Sequence, residues 1–365
     1  MDETEEVTQG DEKVIYSLTE DGSVEEVPAS SNVPLDMEEA PVQVWSIQHI
    51  WNESLRVSRD NTKVRDYISM SDIGKDFWNR YQKMMGVPET NPFDPRVLRI
   101  FQAGDEFHNL VKGVMKVTGF YINSQDDLDA NGEIMWTNIA GSETRLPCKG
   151  RYDMLVGGKP NLDNALRAIE SSELTEFGKE KAERIARHFV ETIPQGLKPL
   201  LYEIKSVNSQ AFWAKKKYLI EAYPHHRFQL YGYLKGNNIE EGRMLYVSKD
   251  DLTVAEFPVR LDDPVLSKEF EEDVNTMSHY YLNKIEPPKP KDIKFNPRKS
   301  HSFTDKKIKY KVKGCFEPNW EVARSSHFTL MTGFGTVDEW ENSLKAEISE
   351  KNKWIKEKVL AKVNK

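Results

Sequence analysis

Cysteine is nearly missing from this chain of 365 residues, which has only Cys148 and Cys315. Two thiols exclude a disulfide framework, a four-cysteine zinc site and an iron–sulfur cluster held by the chain's own thiolates. Long apolar runs are missing too: no stretch approaches the roughly 18 apolar residues of a membrane-spanning helix. Met1-Asp2-Glu3-Thr4-Glu5-Glu6 is the reverse of the basic start of a signal peptide. A soluble chain in the cytoplasm or another intracellular compartment, with no membrane partner, is therefore expected. No G-x-x-x-x-G-K-[ST] loop occurs, so any unwinding of a duplex must come from another protein. Bases are scarce at one end only. Residues 1–40 hold 13 carboxylates and one base, Lys13, which leaves 50 bases against 46 acids for residues 41–365. The formal charge of -8 thus belongs to an acidic leader, and the body is +4.

The leader combines like charge with few large apolar residues and is expected to be disordered. Trp45, Ile47, Ile50 and Trp51 then suggest a short amphipathic helix, and Ser71-Asp72 reads as the cap of another from Ile73 to about Met85. Val97, Phe101, Gly104, His108, Val111 and Met115 recur at helical spacing over residues 96–117, which turns His108 inward. Glu133 to Ile139 and Leu146 to Val156 read as a hairpin, and Lys198 to Val207 as a buried third strand. The charged stretch Leu162 to Glu191 between the last two reads as an inserted helix or helical pair. A helix at Pro224 to Lys235 follows, then strands at Arg243 to Val247 and Val254 to Leu261 and a helix at Leu266 to Asn283. Residues 289–313 carry ten bases and two acids and read as a basic linker before a last helix from Val337 to about Lys362. The order predicts a mixed α/β fold.

Chemistry gathers at the ends of these elements. Glu203 and Lys205, two apart on a strand, share one face. Leu200, Leu201 and Ile204 mark that strand as buried, and buried charges need partners or a metal. Asp153 lies on a strand able to neighbour it, so two carboxylates and the imidazole of His108 can converge on magnesium or manganese. Such a cation polarises a phosphoryl oxygen and acidifies water, while a lysine offsets developing charge. One ion or two fit this set.

The same residues fall into four motifs. Gly104-Asp105-Glu106-Phe107-His108 resembles G-x-x-x-H, Gly150-Arg151-Tyr152-Asp153 resembles G-x-x-D, Glu203-Ile204-Lys205 resembles E-x-K, and Gln229-Leu230-Tyr231-Gly232-Tyr233 resembles Q-x-x-x-Y. In this order, over about residues 67–261, the chain resembles the RecB-type branch of the PD-(D/E)XK nuclease superfamily, which includes CRISPR-adaptation and viral exonucleases. The resemblance implies a restriction-endonuclease-like mixed central sheet flanked by helices, with a helical insertion at about residues 160–195 between the second and third core strands. It implies metal binding by His108, Asp153, Glu203 and the backbone carbonyl of Ile204, and catalysis by Lys205. Gln229 and Tyr233, one helical turn apart, would buttress the site or contact the nucleic-acid backbone.

Two departures from the family accompany it. Asp153 and Glu203 stand 50 residues apart, so the insertion leaves the sheet and returns, and it could cap the site. Ser69-Met70-Ser71-Asp72-Ile73-Gly74 resembles the serine-rich motif of the CRISPR-adaptation relatives but lacks the cysteine that follows it there, so no iron–sulfur cluster is expected. Phe212-Trp213-Ala214-Lys215-Lys216-Lys217 and His225-His226-Arg227 are candidate strand or phosphate contacts. The expected organisation is a disordered leader (1–40), a nuclease domain (41–286), and a basic linker with a helical extension (287–365). The expected function is a Mg- or Mn-dependent deoxyribonuclease, an exonuclease on DNA ends or single strands in recombination, repair or genome processing, partnered by a helicase or a single-strand-annealing or -binding protein. The alternatives are a structure-specific or restriction-type endonuclease and a non-catalytic DNA-binding module.

Overall fold

The computed structural model describes residues 15–18, 24–27, 46–57, 63–128, 131–212, 221–305 and 308–363. It divides into Met1–Trp51 and Asn52–Lys365. In the first unit, β1 (Ile15–Leu18) pairs antiparallel with β2 (Val24–Val27), setting Ile15 opposite Val27 and Leu18 opposite Val24. These eight residues depart from the disordered leader expected there. Their aliphatic and aromatic residues have strand propensity, which local charge does not cancel. The rest of residues 1–40 lies outside the described residues, as does Trp45; α1 (Ile47–Val57) is the short helix expected nearby.

The second unit is mixed α/β. It begins with β3 (Ile68–Ser69), a 3-10 turn at Met70–Asp72 and α2 (Phe77–Met84). The expected helix from Ile73 capped by Ser71-Asp72 is therefore shorter. Gly74 has φ +79°, which is not helical, and the helix starts where Asp76 accepts the Asn79 N–H at 2.9 Å. Helix α3 (Pro95–Thr118) matches its sequence pattern, although Phe101 on the predicted inner face is exposed.

After β4 (Tyr121–Asn123) comes β5 (Thr137–Ile139), shorter than the strand expected from Glu133. The expected strand Leu146 to Val156 is two strands in different sheets. β6 (Cys148–Gly150) lies between β3 and β5, whereas β7 (Met154–Gly158) joins the central sheet. The two strands are separated by a break at Arg151–Asp153. Just before it Gly150 is tightly packed: a Cβ there would lie 2.7 Å from the Tyr233 ring and 3.0 Å from Met70.

The helical insertion is α4 (Leu162–Glu170) and α5 (Glu176–Thr192), which pack on each other through Ala165, Ile169, Ala182 and Ala186, with Val117 at the end of α3 against them. The chain returns as β8 (Leu197–Val207) and continues through α6 (Ser209–Phe212), α7 (Pro224–Asn237), β9 (Glu241–Ser248), β10 (Val254–Arg260) and α8 (Pro264–Leu282). The central sheet has the order β10-β9-β8-β7-β4. Only β8 and β9 are parallel, because α7 carries the chain back across the sheet between them. Leu201, Met244 and Tyr246 face Leu230, Leu234 and Phe270 on one side. Met154, Val156, Ile204 and Leu245 face Phe107, Val111 and Met115 of α3 on the other.

Residues 289–313 lie largely in a hairpin and not in a linker, whereas the helix expected from Val337 to about Lys362 is present. β11 (Ile293–Asp305) and β12 (Ile308–Pro318) form a long antiparallel hairpin, followed by α9 (Trp320–Ala323), α10 (Phe328–Thr332) and α11 (Val337–Val363). The charge run hides a period of two: Ile308, Tyr310 and Val312 alternate with Lys309, Lys311 and Lys313, and Phe303 stacks on Tyr310 at 5.2 Å. Trp340 is 1% exposed in a cluster with Val322, Phe328 and Trp78 of α2, and its Nε1 donates to Asp292 at 3.1 Å. Among the described residues no helix is long and apolar enough to cross a membrane. Replacing Trp340 by Ala should cost about 3–5 kcal/mol of unfolding free energy, measured by urea denaturation. A loss below 1 kcal/mol, on the order of an exposed-site change, would mean that the cluster does not hold the C-terminal segment.

Candidate functional site

The site grows from the buried strand β8. Alternation puts Glu203 and Lys205 on the Leu201 face, while Ile204 points into the α3 core. Glu203 is 1% exposed and its Oε1 accepts from Lys205 Nζ. Its other oxygen, Oε2, is buried with no hydrogen-bond partner. Burial, reinforced by the charge of Asp153 and opposed by Lys205, pushes the Glu203 carboxyl up to about 8. Burial alone would lower Lys205, but the carboxylates of Glu203 and Asp153 outweigh it and hold the ammonium above its ordinary value.

Asp153 sits on the bend before β7, not on a strand. Because Met154 pairs with Tyr202 in an antiparallel ladder, the next step of the register sets Asp153 opposite Glu203. Its Oδ2 accepts the Ile204 N–H at 2.6 Å, and its Oδ1 lies 3.5 Å from His108 Nδ1. The half-buried His108 thus joins the carboxylates from α3, as its spacing predicted. Ile204 takes part through its main chain, its side chain being fully buried.

Gln229 and Tyr233 are buried on α7, and Gln229 Nε2 donates to Tyr233 Oη at 3.0 Å. The Tyr233 ring and hydroxyl pack against Gly150, three residues before Asp153. Both side chains are shut away from solvent, so they stand behind the site and not at its surface. Burial and the charge of Glu203 raise the Tyr233 phenol well above its ordinary value, so it stays neutral.

Beside His108 opens a cleft of about 600 Å³ lined by Asp105, Lys112, Asp126 and Arg151, among others. None of the residues lining this cleft comes from α4 or α5, which pack against Val117 near the end of α3. These four residues are absent from the sequence-derived site. Asp105, three before His108, and Arg151, two before Asp153, are within reach of spacing arguments, whereas Asp126 lies in a loop after β4 without a local signal. Arg151 Nη1 stands 3.7 Å from Asp126. Burial raises the Asp105 carboxyl, His108 opposing and Asp126 and Asp153 adding.

The other candidate contacts divide. His226 Nδ1 lies 2.7 Å from Tyr246 Oη, and burial followed by the charges of Lys205 and His225 lowers the imidazole to about 2, so it is a neutral packing residue. Arg227 pairs with Asp263 at 3.3 Å. Phe212 is fully buried, and Trp213 to Lys217 lie outside the described residues.

Among the described residues no three His, Cys, Asp or Glu side chains gather closely enough to hold a metal ion. The donor chemistry nevertheless fits a hard cation, with an imidazole, two carboxylates and an unpartnered buried oxygen of Glu203. In the geometry present, the Lys205 ammonium supplies the counter-charge.

The raised Glu203 pKa has a stability consequence. Between its ordinary 4.5 and about 8, the folded protein keeps a proton that the unfolded chain releases, so this group removes stability as pH rises through that window. In EDTA, stability should decline with a contribution of at most about 1.4 kcal/mol per pH unit that Glu203→Gln removes. Parallel pH profiles of the two proteins in urea denaturation would refute this.

No family model matches the chain, and no curated protein matches it. Among solved structures, the crystal structure of SSO0001 is similar at 15% identity and a TM-score of 0.35, over 65% of this chain and 88% of that one, a likeness too slight to inform fold or function.

Proposed function

We propose that the chain is a metal-dependent nuclease of the RecB-type branch of the PD-(D/E)XK superfamily, built on a restriction-endonuclease-like sheet and hydrolysing DNA phosphodiester bonds. One observation carries the reading: Asp153, Glu203 and Lys205 meet where β7 and β8 pair, with His108 beside them and one buried oxygen of Glu203 unpartnered. A purely structural ion pair gains nothing from an orphaned buried oxygen, which costs about 1–3 kcal/mol. Magnesium or manganese would be held by His108, Asp153, Glu203 and the Ile204 carbonyl, as one ion or two, and when bound supplies a Lewis acid and a more acidic water.

The chain's own residues do the rest. Lys205 is charged at neutral pH and offsets negative charge on the phosphoryl oxygens in the transition state. Gln229 and Tyr233 buttress the site from behind, Tyr233 packing against Gly150 three residues before Asp153. The preference for exonuclease action on ends or single strands follows the family resemblance, with a helicase or a single-strand-annealing or -binding protein as the proposed partner, and any unwinding falls to a partner because the chain has no P-loop motif.

One observation favours a second reading, a non-catalytic DNA-binding module: Lys205 already neutralises Glu203 without a cation. End-labelled linear, closed circular and single-stranded DNA, incubated with magnesium, manganese or EDTA, separates the readings. Cleavage should require the metal and fall about a hundredfold or more in both Glu203→Ala and Lys205→Ala. Activity surviving in both variants removes the site. Inactivity of the wild type with either metal leaves the binding module, and cutting of closed circles replaces exonuclease by endonuclease.

A further inference from the structure

A second cleft, of about 620 Å³, lies between α2 and α9, and Arg80, Lys83, His225, Lys294, Trp320 and Arg324 are among the residues lining it. The proposed chemistry uses none of them. The Arg80 side chain is 3% exposed, and its Nη1 donates to both oxygens of Asp273 at 2.7 and 2.9 Å. Its Nε and Nη2 are buried with no partner. Those two nitrogens are closed off from solvent, so Arg80 gives the wall of the cleft its charge and no direct hydrogen bond to a ligand.

The lining includes five bases and three carboxylates, Asp72, Asp76 and Glu321. Asp72 is committed to Lys83 at 2.7 Å and Lys75 at 3.2 Å, and Asp76 caps α2. Trp320 is 47% exposed, with the Arg324 guanidinium 5.8 Å from its ring centroid. An exposed indole beside clustered cations is the combination that binds unpaired bases and their phosphates, since a base inside a duplex has no free face to stack. Lys294, Trp320 and Arg324 belong to the segment beyond residue 261, outside the family resemblance.

We propose that this cleft is an accessory track for single-stranded DNA, in which Lys83 and Arg324 hold backbone phosphates, Arg80 adds charge from behind and Trp320 stacks on a base. The C-terminal segment thereby supplies one wall of a strand-binding surface. The inference rests on the nuclease reading for the choice of polymer, and binding is measured apart from cleavage.

Fluorescence anisotropy of labelled single-stranded and duplex DNA, with the full chain in EDTA, tests it. Trp320→Ala should weaken single-strand binding about tenfold and leave duplex binding unchanged, whereas Trp320→Phe should retain most of the affinity. Arg324→Ala should reduce the slope of log affinity against log salt by about 0.7. Wild-type protein that does not bind single strands, or single-strand affinity unchanged in both Trp320→Ala and Arg324→Ala, overturns the track. If those variants weaken binding while magnesium and manganese support no cleavage by the wild type, the track stands and the nuclease reading falls. If Glu203→Ala abolishes cleavage while neither cleft variant alters binding, the nuclease reading stands and the track falls.

Discussion

A strand buried on both faces that carries two charges sets the terms for the rest of the second unit. β8 pairs with β7 on one side and β9 on the other, and helices cover both faces, so neither Glu203 nor Lys205 can be solvated as it would be on a surface. They are tolerable only together. Asp153, whose charge favours the Lys205 ammonium and opposes the Glu203 carboxylate, is itself held by the Ile204 N–H. Tyr233, bonded from Gln229, packs against Gly150 three residues before it. Residues from four separate elements thus converge on one part of the sheet.

Electrostatically the unit is short of positive charge. Glu203, Asp153, Asp105 and Asp126 influence one another, and each further carboxylate makes the next harder to ionise. Lys205 answers only part of this, because its ammonium bonds one oxygen of Glu203 and leaves the other bare. An arrangement selected for stability alone would replace the set with apolar residues at little or no cost. The set is therefore not explained by stability, and the proposed nuclease chemistry is the use that would account for it.

How far the sequence revealed this depended on the range of the controlling interaction. β8, α3, α7 and the helical insertion were legible because apolar periodicity or a continuous apolar run records which face is buried. Glu203 and Lys205 sharing a face followed from a period of two, and His108 turning inward from a period near four. The break at Arg151–Asp153 was not legible, since the surroundings of Gly150 just before it are set by Tyr233, some 80 positions away. Asp126 joins the site through a loop whose path no local pattern fixes. The hairpin of residues 293–318 was lost for another reason: counting bases as a block erased the alternation of Ile308, Tyr310 and Val312 between them.

Helix α2 shows why the C-terminal segment is part of the same unit. Eight residues long, it sends Tyr81 and Met84 into the main core and Trp78 into the cluster with Trp340 and Phe328. Trp78 Nε1 also donates to Glu286 at 2.7 Å, just where the segment leaves α8, and Ser325 Oγ bonds to Asn79. A helix this short has little stability of its own. It persists because both cores hold it, so a change in either is felt by the residues between them. Arg80 is such a residue: its guanidinium is fixed to Asp273 of α8 from one edge while its other edge is left without a partner. The net charge of the chain says nothing of this, since the acidic residues that dominate the total lie in the leader and the consequential cations are few, buried and specifically placed.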